Sequence, residues 1–280
     1  MRLRPALALA LLCWGACRAQ TVVPLELEDG NDLATLRIGE SHLKAVLDTS
    51  GAYGIAITPE ALAKLRVRFS GNTVERTGMG GDKFRGRDFV IPAVELGDTI
   101  FLNVDGLERR RGGGDTHGPP PYDAVIGGEF LENYTVIIDY PRQRLELHRP
   151  GSGAAVCGPP LAAMMPARNG MTFTTVRTDA GVMNLGWSSG STYSVVLKTV
   201  TYLRGLAPKD GFYTTKRFAF GRFNAGPVDL VVLELPGVPD LDGLIGDDFF
   251  ERYRVCFDYE AHTVNVQTTE MSAKRKRPRG

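Results

Sequence analysis

Apolar positions fall in short runs separated by Gly, Pro, Asn and Asp, a pattern that predicts brief strands and tight turns rather than a helical bundle. The 33 Gly and 17 Pro agree with it. Two stretches, 122–148 and 241–267, carry one pattern twice. In each, an apolar strand ends at Gly127 or Gly246 and a helical turn or two follows. A strand then runs through Val136 or Val255, and a turn leads into a final strand. Hairpins are expected at 33–44 and 172–183.

The two stretches align without gaps, and nine of their 27 positions are identical: Asp123/Asp242, Ile126/Ile245, Gly127/Gly246, Phe130/Phe249, Glu132/Glu251, Tyr134/Tyr253, Val136/Val255, Asp139/Asp258 and Tyr140/Tyr259. A fainter match lies upstream, where Ala45-Val46-Leu47-Asp48-Thr49-Ser50-Gly51 faces Asn184-Leu185-Gly186-Trp187-Ser188-Ser189-Gly190. In that alignment Trp187 stands against Asp48 and Ser188 against Thr49. The repeat divides the chain into two β-rich lobes, 21–150 and 151–269, joined by the linker-like Gly151-Ser152-Gly153-Ala154-Ala155. Lobe two has the shorter intervening loops: 54 residues separate Trp187 from Asp242, against 74 between Asp48 and Asp123.

The first apolar run is of another kind. Residues 5–17 follow Arg2 and Arg4, are too short to span a bilayer, and lead to Cys17-Arg18-Ala19 with small residues at both cleavage positions. Residues 1–19 read as a signal peptide, so the protein is expected to be exported, periplasmic or secreted. The alternative is a lipid anchor on Cys17. No later run is long enough for a transmembrane span. Net charge is +1, but three bases lie in residues 1–19 and five in the last seven residues. The rest holds 25 Lys and Arg against 32 acids, a net of −7, which argues against nucleic acid as a partner. Residues 270–280 are read as a basic disordered tail. Cys157 and Cys256 either form one disulfide or remain two buried thiols. The four His (His42, His117, His148, His262) show no ligand spacing, so neither metal nor cofactor is expected.

With these residues placed, the sequence resembles the retropepsin-like and pepsin-like aspartic proteases. The first part of the family hallmark is Val46-Leu47-Asp48-Thr49-Ser50-Gly51-Ala52. The second is Val125-Ile126-Gly127 followed by Glu129-Phe130-Leu131. The resemblance implies an all-β fold of two tandem acid-protease β-barrel lobes with short helices. It implies Asp48 as the catalytic carboxylate and Thr49 as its supporting neighbour, with Gly78-Met79-Gly80-Gly81 as a flap tip closing over an extended peptide. Ser50, Gly51, Ala52, Met79, Gly80, Gly81, Trp187 and Ser188 would then line the substrate.

Two departures stand out. Ser50 is either a replacement for the usual Gly or an inserted residue, and insertion restores Gly51-Ala52 to the family register. Lobe two lacks a catalytic Asp, whereas hydrolysis by this route needs a water between two carboxylates about 3 Å apart that share one proton. The leading expectation is therefore an exported aspartic-type endopeptidase that activates water through Asp48, with a homodimer supplying the second Asp. An inactive, protease-like peptide-binding protein is the alternative. A third reading takes Gly186-Trp187-Ser188-Ser189-Gly190 as a serine-hydrolase elbow, with Ser188 as nucleophile and His262 as the last triad member. Asp123 or Asp242 is also a candidate second carboxylate. The Arg-Gly-Pro segment 109–121 is read as a loop near the cleft.

Overall fold

The computed structural model describes residues 20–81, 83–109, 122–167, 170–238 and 240–269. The signal segment, the basic tail and all of the Arg-Gly-Pro segment beyond Arg109 lie outside these. The described chain is β-rich with a few short helices, none long and apolar enough to cross a membrane.

Two sheets organise it. An eight-stranded sheet in lobe one runs in the order Glu26–Glu28, Asn31–Ile38, Ser41–Asp48, Ala124–Gly127, Ile55–Ile57, Thr99–Glu108, Lys83–Leu96 and Arg68–Thr77. A fourteen-stranded sheet crosses between the lobes and continues into lobe two. The expected hairpins are present: Asn31–Ile38 pairs antiparallel with Ser41–Asp48, and Thr172–Thr178 with Gly181–Trp187.

The repeat accounts for the join. Strand Thr135–Asp139 pairs antiparallel with its own counterpart, Tyr253–Asp258. Val136 faces Phe257 while Val255 faces Ile138. Residues in equivalent repeat positions thus exchange partners, as a local twofold axis requires. Every residue of Thr135–Asp139 is buried, which matches its run of apolar residues with no polar alternation.

Below this sheet the chain between the lobes is not a free linker. Gly153–Val156 forms one helical turn, and a Cβ on the buried Gly153 would stand 2.0 Å from the Asp258 carboxylate. Cys157 follows and is disulfide-bonded to Cys256, with Cα atoms 5.6 Å apart. Linker composition gave way here to close packing and a covalent tie.

The cores differ in character. Lobe one packs aliphatic side chains such as Leu36, Leu47, Ile55 and Ile57 around Phe89. Lobe two packs rings: Trp187 stacks on Phe220 with centroids 5.6 Å apart and meets Phe249, Phe250 and Phe257 edge-on.

Candidate active site

Each lobe brings one strand to the centre and ends it in a tight turn. In lobe one, Ser41–Asp48 lies parallel to Ala124–Gly127, with Leu47 opposite Ile126 and Asp48 opposite Gly127. In lobe two, Gly181–Trp187 lies parallel to Gly243–Ile245, with Trp187 opposite Ile245. Ile126 and Ile245 are repeat equivalents, so Trp187 matches Leu47 and Ser188 matches Asp48. The turns agree. The Gly51 amide donates to the Asp48 carbonyl at 3.0 Å, and the Ser191 amide donates to the Ser188 carbonyl at 3.0 Å. Gly128 N–H reaches Gly51 O at 2.8 Å, and Asp247 N–H reaches Ser191 O at 2.6 Å.

The upstream alignment was therefore one residue out. Trp187 does not face Asp48 and does not line a substrate; it is fully buried in the ring core of lobe two. Ser188, also fully buried, is the residue that faces Asp48.

The two turns grip each other. Thr49 N–H donates to Ser189 Oγ and Ser189 N–H donates to Thr49 Oγ1, both at 3.1 Å. Ser189 Oγ also donates to the Leu47 carbonyl at 3.0 Å. Thr49 and Ser189 are buried, so these bonds fix the lobes' relative position where water cannot compete. Thr49 is thus bonded across to the lobe-two turn, and its partner Ser189 was not singled out in the sequence. The signal for Ser189 was available: a small hydroxyl residue beside the equivalent of Asp48.

Ser50 is a replacement, not an insertion. It occupies the place that Gly190 holds in lobe two. Its amide donates to Asp48 Oδ1 at 3.0 Å, its hydroxyl donates to the same oxygen at 2.5 Å, and Ser188 Oγ lies 3.0 Å beyond. Gly190 has to lack a side chain, because a Cβ there would stand 2.7 Å from the Asp48 Cγ. The other carboxylate oxygen, Oδ2, accepts from the Tyr53 hydroxyl at 3.1 Å. Burial, and then the Asp48 charge, push the Tyr53 hydroxyl well above the usual phenol range, so it stays a donor. Tyr53 was also missed, since nothing in its spacing marks it. Its ring covers Gly51, where a Cβ would come within 2.6 Å.

Arg109, the last described residue before the rest of the Arg-Gly-Pro segment, reaches the Tyr122 hydroxyl at 3.5 Å. Ala52 is half-buried beside the turn. The flap expectation has a structural counterpart: Gly78-Met79-Gly80-Gly81 forms the turn of the hairpin between Arg68–Thr77 and Lys83–Leu96, closed by the Gly81 amide on the Gly78 carbonyl at 2.9 Å. Met79 Sδ lies 4.0 Å from Ser188 Oγ.

Other candidates lie elsewhere. Asp123 and Asp242 sit at the far ends of their strands. Asp123 Oδ2 accepts from the Lys44 amide at 3.1 Å; Asp242 Oδ2 accepts from the Asn184 amide at 2.9 Å and from Arg204 at 3.0 Å. Neither is a second carboxylate for Asp48. His262 is exposed at a hairpin tip with φ of 51°, the same left-handed turn as Gln143 with φ of 54°. Among the described residues Ser188 has Ser50 and Met79 as its hydroxyl neighbours and no imidazole, so a triad of Ser188 with His262 is not assembled. No group of three His, Cys, Asp or Glu among the described residues is placed to hold a metal ion.

Chemically, the centre holds one carboxylate with donors on both oxygens, and a hydroxyl where a partner carboxylate would stand. No protein-family model matches the chain, and no curated protein matches it. Solved structures do. The aspartic proteinase from Irpex lacteus is 13% identical and covers 91% of this chain and 99% of its own, with a TM-score of 0.61. The basic 7S globulin from soybean is 10% identical and covers 91% of this chain and 96% of its own, with a TM-score of 0.60. At these identities the likeness is one of fold, and with the paired strands and gripping turns it identifies the architecture: this chain has the bilobal, pepsin-like aspartic proteinase fold.

Proposed function

We propose that this chain is a pepsin-like protein that holds extended polypeptide in its cleft without cutting it. The observation that carries this reading is Ser188 opposite Asp48. A serine hydroxyl cannot share a proton with a carboxylate as a second acid does, so the water-activating pair is missing within one chain. A homodimer is no remedy. The lobe-two turn already stands on the face where another copy's Asp48 would have to arrive, held there by the Thr49–Ser189 bonds.

Retention of Asp48 does not by itself argue for hydrolysis. Its carboxylate is the acceptor that organises Ser50 and Tyr53, a positional role that a non-cutting relative would also need. The flap supports polypeptide as the ligand. Strand Arg68–Thr77 is the last of its sheet and is exposed along most of its length, a suitable edge for adding an extended strand. The disulfide fits an oxidising compartment, which supports export.

The test is direct. Purified protein is offered unstructured peptides from pH 3 to 7, with binding and cleavage read separately. Binding without cleavage is the expected result. Cleavage that Asp48→Asn abolishes would overturn the proposal and restore the endopeptidase reading.

A further inference from the structure

The tip of the flap hairpin is tied to lobe two. The Gly237 amide donates to the Met79 carbonyl at 3.0 Å. A Cβ on Gly237 would stand 2.2 Å from the Gly78 carbonyl oxygen and 3.0 Å from the Met79 Cα. Across the contact, a Cβ on Gly81 would stand 2.7 Å from the Pro236 ring, and Gly81 has a φ of 86° that disfavours any side chain. The backbones meet this closely only because glycine lies on both sides. The half-buried Met79 side chain then runs inward to Ser188 Oγ.

We propose that the flap tip is a built-in occupant of the cleft, latched to Pro236 and Gly237, and that a polypeptide enters by displacing Met79 and putting an unbranched apolar side chain in its place. The latch stands on its own; the ligand half rests on the polypeptide-holding reading. The choice of side chain follows from the site. Methionine is unbranched with three rotatable bonds and fills irregular gaps, and its thioether is a weak acceptor for the Ser188 hydroxyl. An acidic side chain in its place would bring a second negative charge toward Asp48, which Ser188 and Ser50 connect to this spot. A branched residue lacks the rotational freedom with which a straight chain can follow the path of Met79 to Ser188.

Hydrogen exchange of the segment 76–81 tests the latch in the folded, disulfide-bonded protein. Gly237→Val should speed exchange there roughly tenfold, as expected for losing a backbone hydrogen bond and its packing. Pro236→Gly, which removes only the ring against Gly81, should give a smaller increase and controls for misfolding. Unchanged exchange in both variants overturns the latch. Binding is then measured with an extended decapeptide carrying a central Met and with the same peptide carrying a central Asp. Gly237→Val should bind the Met peptide several-fold tighter than the wild type, since the closed flap lowers the competent fraction. Equal affinity for the Asp peptide overturns the apolar preference. Faster exchange with no binding of either peptide by any form leaves the latch in place and removes the polypeptide-holding reading instead.

Discussion

Asp48 has one carboxylate oxygen on the Ser50 amide and hydroxyl and the other on the Tyr53 hydroxyl, and a buried serine faces it. The chemistry this centre lacks is therefore a single group, and supplying it is a strong test of the register. Ser188→Asp combined with Ser50→Gly places a second carboxylate opposite Asp48 and clears the hydroxyl between them. That variant should cleave unstructured peptides at acid pH, with the wild type inert, and adding Asp48→Asn should abolish the activity. Activity that survives the third substitution would mean that Ser188 is not the matched position. Ser189→Ala probes the same centre for stability. It leaves the buried Thr49 amide without its acceptor and should cost about 1–3 kcal/mol in urea unfolding.

At the scale of elements, the flap hairpin is braced at its base. Arg87 pairs with both oxygens of Glu108, at 2.8 and 3.1 Å, and its guanidinium lies 4.3 Å from the centre of the Phe69 ring. Glu108 is only 2% exposed, and the pairing engages both of its carboxylate oxygens. Arg87→Ala should lower stability and loosen the strand Arg68–Thr77, read as a lower urea midpoint and faster amide exchange along it. Arg87→Lys should recover only part, because a lysine cannot make the two-pronged contact. A second brace lies in the shared sheet. Glu146 meets His148 at 3.1 Å, Arg144 at 3.0 Å and Gln20 at 3.0 Å. The bond to His148 is the main reason its carboxyl lies below the ordinary value of 4.5. A carboxyl held low when folded adds stability above its unfolded pKa and loses it as pH falls through the folded value. Glu146→Gln should thus be less stable than the wild type at pH 7, with the gap closing below pH ~4.5; unfolding midpoints from pH 7 to 3 would show it.

Over the whole molecule, the Cys157–Cys256 bond spans 99 residues and ties the interlobe turn to strand Tyr253–Asp258, which pairs with its repeat counterpart in the shared sheet. Closing a loop of that size removes unfolded-state entropy worth up to about 4–5 kcal/mol. Replacing both cysteines with Ala should cost roughly 2–5 kcal/mol in urea unfolding, and reductant should then have no further effect. The ring core around Trp187 should hold lobe two together in that variant, since it does not involve the bond.

Much of this architecture was legible in the residue order. Repeated strand–turn–strand periodicity marked the two lobes, because a buried strand needs a continuous apolar run and a tight turn needs Gly wherever it sits. Asp48-Thr49, the hairpins and the flap tip were readable for the same local reason. Opposite Asp48 the reading slipped by one residue. The stretch 184–190 shares only its final serine and glycine with 45–51 in that alignment, and an indole can be core or cleft depending on which side of the strand it leaves. Register comes from pairing between distant strands, and a one-residue slip exchanges inside for outside. Only when Ile245 met Trp187, and Ser189 gripped Thr49, was it settled that serine faces the lone acid. The chain by itself determined which turns form; the packing of one turn against the other decided what chemistry they can share.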